Sequence, residues 1–333
     1  MTDLLRAGAL YGFDDLARRL GVNPLKLLKA AGLPASQLRN PDNLIPYRKV
    51  GKVLELAALE SGTPTFGLQL AESNGLHVLG LFGAYMSRQG TIAEALNIGS
   101  RYAHLHAQGV VLAIEPAENG NLELRLNITF IHGGEFPQLV DLSIGMVIQI
   151  LRDMAGDHWH ARRIKFRHPA HQKTRDNYKD FFACAVEFNS DRDAITIDQA
   201  TLAQKPMTPE GLVNQVIFSQ FEQLKIDEDL TPLVKHAIHG LLPTGDCNKT
   251  NVALALDIHP KKLQRALDAS HTSFRALLEE TRREIAENAV FNSNMPLTNI
   301  ALNLGYADLA VFSRSFKRWF GFPPSAAESR RGK

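Results

Sequence analysis

The chain has 333 residues, enough for two domains of about 100 to 200 residues each. With 44% hydrophobic and 22% charged residues it has the composition of a soluble globular protein, which excludes disordered, fibrous and disulfide-scaffold classes. The net charge of +2 hides an asymmetry: residues 229–333 carry +4 and the remainder −2, so an anionic partner is sought in the C-terminal third.

The first twenty residues are amphipathic and carry acids, unlike a signal peptide. No apolar run approaches the ~18 residues of a membrane span. Cys184 and Cys247 lack metal spacing and read as reduced thiols. A cytoplasmic protein that does not enter a membrane is expected.

Apolar positions at helical spacing predict helices over 12–20, 24–31, 48–60, 64–72 and 91–107, the last capped by Thr91. A hairpin follows, with strands over 110–115 and 122–130 around a turn at Asn119-Gly120. In its second strand Leu122, Leu124, Leu126, Ile128 and Phe130 alternate with polar residues, the period of a half-buried strand. A helix over 139–155 and strands over 162–168 and 194–198 complete an α+β domain spanning 1–208. Lys205-Pro206-Met207-Thr208-Pro209 marks its exit. A linker over 209–228 holds a helix whose stripe of Val213, Val216, Ile217, Phe221 and Leu224 suits either domain packing or a homodimer.

The segment 229–333 is predicted to be helical and contains an internal repeat. Thr250-Asn251-Val252-Ala253-Leu254-Ala255-Leu256 returns 48 residues later as Thr298-Asn299-Ile300-Ala301-Leu302-Asn303-Leu304. Leu263-Gln264-Arg265-Ala266-Leu267 answers Phe312-Ser313-Arg314-Ser315-Phe316, displaced by 49. Each copy reads as two helices joined by a tight turn, a helix-turn-helix over about 248–269 and 296–320. The first copy begins at an Asn248 cap, turns at Asp257 and buries Val252, Ala253, Leu256, Leu263, Ala266 and Leu267. The second turns at Gly305, free to adopt the left-handed conformation, and buries Ile300, Ala301, Leu304, Tyr306, Phe312 and Phe316. A long helix over 272–291 separates them, with Phe274, Leu277, Leu278, Ile285 and Ala289 facing the core.

The second helix of the first copy leaves Lys261, Lys262, Gln264 and Arg265 outward. Lysine suits phosphate, glutamine an adenine edge and arginine a guanine edge. Lys249, Arg314, Lys317 and Arg318 are further phosphate candidates. Two tandem copies bearing basic and amide side chains point to double-stranded DNA rather than to plain helix packing.

These residues, from the AxxL turn and LQRAL through SFRALLEETRREIA to IALNLGY, FSRSFKRWFG and PP, resemble the AraC/XylS family of bacterial transcription regulators over about 245–325. The resemblance implies base contacts from Lys261, Gln264 and Arg265 in one recognition helix and from Leu309, Ala310, Val311, Ser313 and Arg314 in the other. Leu309 to Val311 depart from the polar residues the family commonly carries there, so most hydrogen-bonded readout is expected from the first unit. SAAESRR after Pro324 departs from an aromatic-then-arginine ending, which bears on the last helix alone. The N-terminal part resembles the arabinose-binding-type effector domain of one branch of the family, a domain label that does not argue for a sugar. The resemblance further implies RNA polymerase as a partner and no cofactor.

Histidines at 104/106, 158/160 and 168/171 form no metal pattern, and neither a nucleophile elbow nor a phosphate-binding glycine loop occurs. Catalysis is therefore not expected. A repair alkyl transferase would need a reactive cysteine, whereas Cys184 in FFACAVEF reads as a small buried residue. A small-molecule effector pocket is expected in the N-terminal domain, with Tyr85, Arg101, Tyr102, His104 and His132 as its polar candidates. The alternative is a constitutive regulator whose N-terminal domain serves dimerisation or protein contact.

Overall fold

The computed structural model describes residues 3–131, 135–170, 174–208, 230–256, 258–292 and 295–331. The predicted linker helix over 209–228, the Asp257 turn and His132 lie outside these residues. The chain divides into two compact units, Met1–Leu79 with Met86–Leu212 and Gly80–Tyr85 with Val213–Lys333.

In the first unit, β1 (Leu4–Arg6) pairs antiparallel with β2 (Leu44–Pro46) and brackets α1 (Phe13–Arg19) and α2 (Pro24–Ala30). Then come α3 (Tyr47–Ser61), α4 (Phe66–Ala71), α5 (Leu81–Met86, grouped largely with the second unit) and α6 (Ile92–His106). Thr91 caps α6 as the sequence predicts, its hydroxyl accepting from Glu94 N at 3.1 Å.

The hairpin forms from β3 (Val110–Pro116) and β4 (Leu122–Ile128) in full antiparallel register, with Asn119 left-handed in the turn. Leu124, Leu126 and Ile128 are buried as the alternation requires. After α7 (Pro137–Ala155), β5 (Arg163–Lys165), α8 (Arg175–Phe182), β6 (Ala185–Glu187), β7 (Asp193–Ile197) and α9 (Gln199–Leu202) follow. The sheet order is β3-β4-β7-β5-β6, with β5 and β6 the parallel pair and α8 their crossover.

The α7 helix is buried almost throughout. Its Asp141 is fully buried between His168 Nε2 at 3.1 Å and the Tyr178 hydroxyl, which donates to it at 2.7 Å. The other ring nitrogen of His168 lies 3.0 Å from the Pro169 carbonyl. Both nitrogens thus face acceptors, the arrangement of an imidazolium rather than of a neutral ring. Burial by itself would push the His168 pKa down, but the hydrogen bond and charge of Asp141 outweigh it, and the pKa rises above 6.5.

The second unit contains α10 (Thr231–Leu241), α11 (Lys249–Ala255), α12 (Pro260–Ala269), α13 (Phe274–Asn292), α14 (Leu297–Asn303), α15 (Leu309–Phe320) and α16 (Pro324–Arg331). Val252, Ala253, Leu263 and Leu267 are buried in the first copy, and Ile300, Ala301, Phe312 and Phe316 at the equivalent positions of the second. The repeat in sequence is therefore a repeat of core. Ala266, predicted to be buried, is only half-buried.

The long helix meets expectation in part, since Leu277 is buried and Ile285 and Ala289 pack against the core. Its fully buried positions are Leu277, Thr281, Ala286 and Val290, whereas Phe274, Leu278, Ile285 and Ala289 are half-buried. Because α13 is packed by α10, α14, α15 and α16 together, its deepest positions take small or branched side chains that let other helices approach. Ala327 of α16 is buried in the same core, so SAAESRR still forms a docked final helix.

Candidate nucleic-acid interface

Three of the four helices in the two copies are started by a side-chain cap, and the fourth, α14, follows Pro296 without one. The Asn248 side chain accepts from Asn251 N at 2.9 Å and starts α11. His259 Nδ1 accepts from Lys261 N at 3.2 Å and, with Pro260 in the first turn, starts α12. Asp308 accepts from Val311 N at 2.8 Å and starts α15. The caps fix where α12 and α15 begin, and so which side chains point away from the core.

On α12, Leu263 and Leu267 seal the inner side while Lys261, Lys262 and Arg265 are exposed and Gln264 is half-exposed. On α15, Phe312 and Phe316 seal the inner side, and Leu309, Ala310, Arg314, Lys317 and Arg318 are exposed, with Val311 and Ser313 half-exposed. Among the described residues, Lys261, Lys262, Arg265, Arg314 and Lys317 form no ion pair. Their charge is uncompensated locally and open to an external anion.

Two of the expected phosphate contacts are already engaged. Arg318 Nη2 lies 2.6 Å from Glu279 Oε2 on α13, and the Trp319 indole donates to the same oxygen at 3.1 Å. Lys249 Nζ donates to Gln264 Oε1 at 3.1 Å, and Gln264 Nε2 donates to Asp268 Oδ1 at 2.8 Å. Asp268 was missed by sequence reasoning, although its place one helical turn after Gln264 was a signal for it. Arg282 was missed as well: its Nε donates to the Leu304 carbonyl at 3.0 Å and its guanidinium lies 4.6 Å from the centre of the Tyr306 ring. It pins the turn of the second unit to the long helix, a role visible only once the two are brought together.

Gly305 is left-handed, with φ of 69°. A Cβ there would come within 2.6 Å of the Leu242 carbonyl oxygen. Leu242 opens the short 3-10 turn that precedes the first helix-turn-helix copy. The turn of the second helix-turn-helix copy therefore sits directly on the approach to the first copy.

The predicted effector-pocket residues do not assemble into one described site. Tyr85 is buried and Arg101 is exposed on α6. The side chains of Tyr102 and His104, and His132 as a whole, lie outside what the structure describes. An apolar hollow among α6, the sheet and α9 is lined by Leu96, Ile114, Leu124, Ile197 and Leu202, and neither Tyr85 nor Arg101 lines it. His106, weighed from the sequence only as half of a metal pair, is buried at 7% exposure, and neither of its ring nitrogens has a hydrogen-bond partner among the described residues. Burial, assisted by the charge of Arg6, pushes its pKa down to about 3 and keeps it neutral.

Cys184 is half-exposed rather than buried, yet desolvation pushes its thiol up to about 11 and that of Cys247 to about 12. Neither thiol is a thiolate at neutral pH, contrary to what alkyl transfer to cysteine requires. Among the described residues no group of three metal-ligating side chains occurs, and no helix is long and apolar enough to cross a membrane.

Residues 21–206 match the family described as the arabinose-binding domain of AraC transcription regulator, N-term, and residues 252–330 match a helix-turn-helix domain. The transcriptional regulator VirS of Mycobacterium tuberculosis is 30% identical over 326 residues, covering 96% of this chain and 95% of that protein. The ornithine utilization regulator of Pseudomonas aeruginosa is 24% identical over 322 residues, covering 93% and 92%. Among solved structures, the regulator CdpR of Pseudomonas aeruginosa aligns over 91% of this chain and 96% of its own, at 17% identity and a TM-score of 0.41.

Proposed function

Because this chain belongs to the AraC family of transcription regulators, we propose that it reads DNA with α12 and α15 of a C-terminal domain over 229–333. A domain over 1–208 controls that reading in response to a small molecule. DNA-binding transcription regulation is the activity of the family, and the relatives are regulators rather than enzymes. The observation that carries the finer reading is α12. A sealed inner side, Leu263 and Leu267, holds out Lys261, Lys262, Gln264 and Arg265, the side chains that meet phosphates and base edges.

Leu309 to Val311 offer α15 only apolar contacts at the start of its helix, which can touch a thymine methyl but cannot read hydrogen-bond patterns. Direct readout therefore falls mainly to α12, and α15 contributes phosphate contacts from Arg314 and Lys317. Arg265→Ala is expected to weaken binding to a preferred duplex by about 1–3 kcal/mol and to leave random-duplex binding much less changed. Equal losses on both would remove Arg265 from base reading.

For the N-terminal domain, the effector reading is supported by His106, a buried neutral imidazole whose two nitrogens have no partner among the described residues. An unpaired buried polar group costs stability that a bound polar ligand could offset. The second reading is a constitutive regulator whose N-terminal domain only dimerises or contacts proteins, with which the apolar stripe in the sequence of 209–228 is compatible. Thermal shift across a metabolite panel separates the two. A true effector at 100 times its Kd stabilises by about 2.7 kcal/mol, and a panel without any shift favours the constitutive form. Both readings place the protein in the cytoplasm with double-stranded DNA and RNA polymerase as partners, and both permit a homodimer through the linker.

A further inference from the structure

We propose that Lys249 and Asp268 are positioning residues for base recognition, which hold the Gln264 carboxamide in one orientation and preset α12 to read an adenine. The inference rests on the reading of α12 as the helix that meets base edges.

A glutamine amide has an acceptor end and a donor end that differ little in shape, and a free one can turn over to suit either kind of partner. Gln264 is not free. Its oxygen faces the Lys249 ammonium at 3.1 Å and its nitrogen faces the Asp268 carboxylate at 2.8 Å. An ammonium can only donate and a carboxylate can only accept. The reversed amide would set donor against donor and acceptor against acceptor, so the two neighbours determine the orientation by charge type.

After these two bonds, Oε1 retains one lone pair and Nε2 one N–H. That pair of groups, an acceptor beside a donor, complements the N6 donor and N7 acceptor of adenine in the major groove. Guanine offers two acceptors there, one of which would face the amide oxygen. Exclusion of water at an interface strengthens the two internal hydrogen bonds, so the bias grows on binding.

Asp268 is otherwise hard to account for. It is exposed on the recognition helix, where a carboxylate repels phosphate, and the Gln264 bond is its side-chain contribution. In the second copy of the repeat the equivalent positions hold Leu297, Ser313 and Lys317. The network therefore belongs to the first reader alone, and its Asp268 position is taken in the second by a cation.

The test uses the full chain and a duplex selected from a randomised library. Affinities are measured for that duplex, for each single base-pair change and for random DNA. Gln264→Ala should reduce discrimination at one A·T pair by roughly 10- to 100-fold. Asp268→Ala should reduce discrimination at that same pair while tightening random-duplex binding, because a negative charge has gone. Asp268→Asn also loses the charge but keeps an acceptor, so it should tighten random binding yet retain more of the discrimination. Lys249→Met should lose discrimination at the same pair and weaken random binding. If Gln264→Ala lost discrimination and Asp268→Ala kept it, the proposal would be overturned while Gln264 stood as a base contact. If Gln264→Ala kept full discrimination, the reading of Gln264 itself would fall and the proposal with it. A parallel loss of specific and random binding in Asp268→Ala would mark the carboxylate as merely structural and overturn the proposal too.

Discussion

Gly305→Ala probes the joint on which the second unit turns. The new Cβ meets two separate penalties. The left-handed backbone, φ of 69°, costs an L-residue about 1–2 kcal/mol. The Cβ would also stand 2.6 Å from the Leu242 carbonyl oxygen, a backbone atom that cannot swing aside as a side chain can. Overpacking of this kind costs about 1–3 kcal/mol, so the expected total is about 2–5 kcal/mol. Gly321→Ala supplies the reference, because Gly321 is equally left-handed, φ of 83°, but has nothing within 4 Å of its Cβ position. It should lose only the conformational part, about 1–2 kcal/mol. The chain has two tryptophans, Trp159 and Trp319. Urea unfolding followed by Trp319 fluorescence in a Trp159→Phe background therefore reports the second unit by itself. Equal losses in the two variants would refute the claim that the Leu242 contact fixes the turn.

Two further outcomes are expected. His168 carries a pKa raised above 6.5, so its stabilising pair with Asp141 is fully present below that value and is lost as pH rises through the raised one. Melting of the first unit, read by Trp159 in a Trp319→Phe background, should fall over that window. His168→Gln should flatten the profile, and an unchanged profile would remove the ion pair from the explanation. For phosphate contacts, Lys317→Ala should weaken binding to all duplexes and lower the salt slope by about 1. Arg318→Ala should lower it less because Glu279 already balances its charge, and equal slopes for the two would contradict that.

Much of the second unit was legible because its evidence is periodic and doubled. Leu263 and Leu267 against Phe312 and Phe316 are spaced by one helical turn in each copy, and burial follows from that spacing wherever the helix sits. The hairpin was legible for the same reason, since alternation from Leu122 to Ile128 defines a face by itself. The three-residue strands β1 and β2 were not, because too few residues show a period and their partner lies some forty positions away. The deepest positions of α13, Thr281, Ala286 and Val290, were not singled out by the sequence, because hydrophobicity ranks Phe274 above Thr281, whereas helices crowding from several sides select for small size. In the candidate site, residue type indicated which side chains could meet DNA but not which were already engaged. Glu279 against Arg318 and Arg282 against Tyr306 depend on segments that only folding brings together. Of the effector candidates, the side chains of Tyr102 and His104, and His132 as a whole, lie outside the described residues, and His106 gained its burial from neighbours remote in sequence such as Arg6.

The repeat has an implication for the operator. The two copies share a core almost position for position, yet their outward faces have diverged, one bearing a charge-locked amide and the other an aliphatic start. A duplex engaged by both would be spelled out at one end and tolerated at the other. Promoters bound by this protein, once aligned, should show a sharply defined box beside a degenerate one, in a constant order. An internally symmetric scaffold would then carry a direction along the DNA, and the regulator would sit on each promoter facing one way.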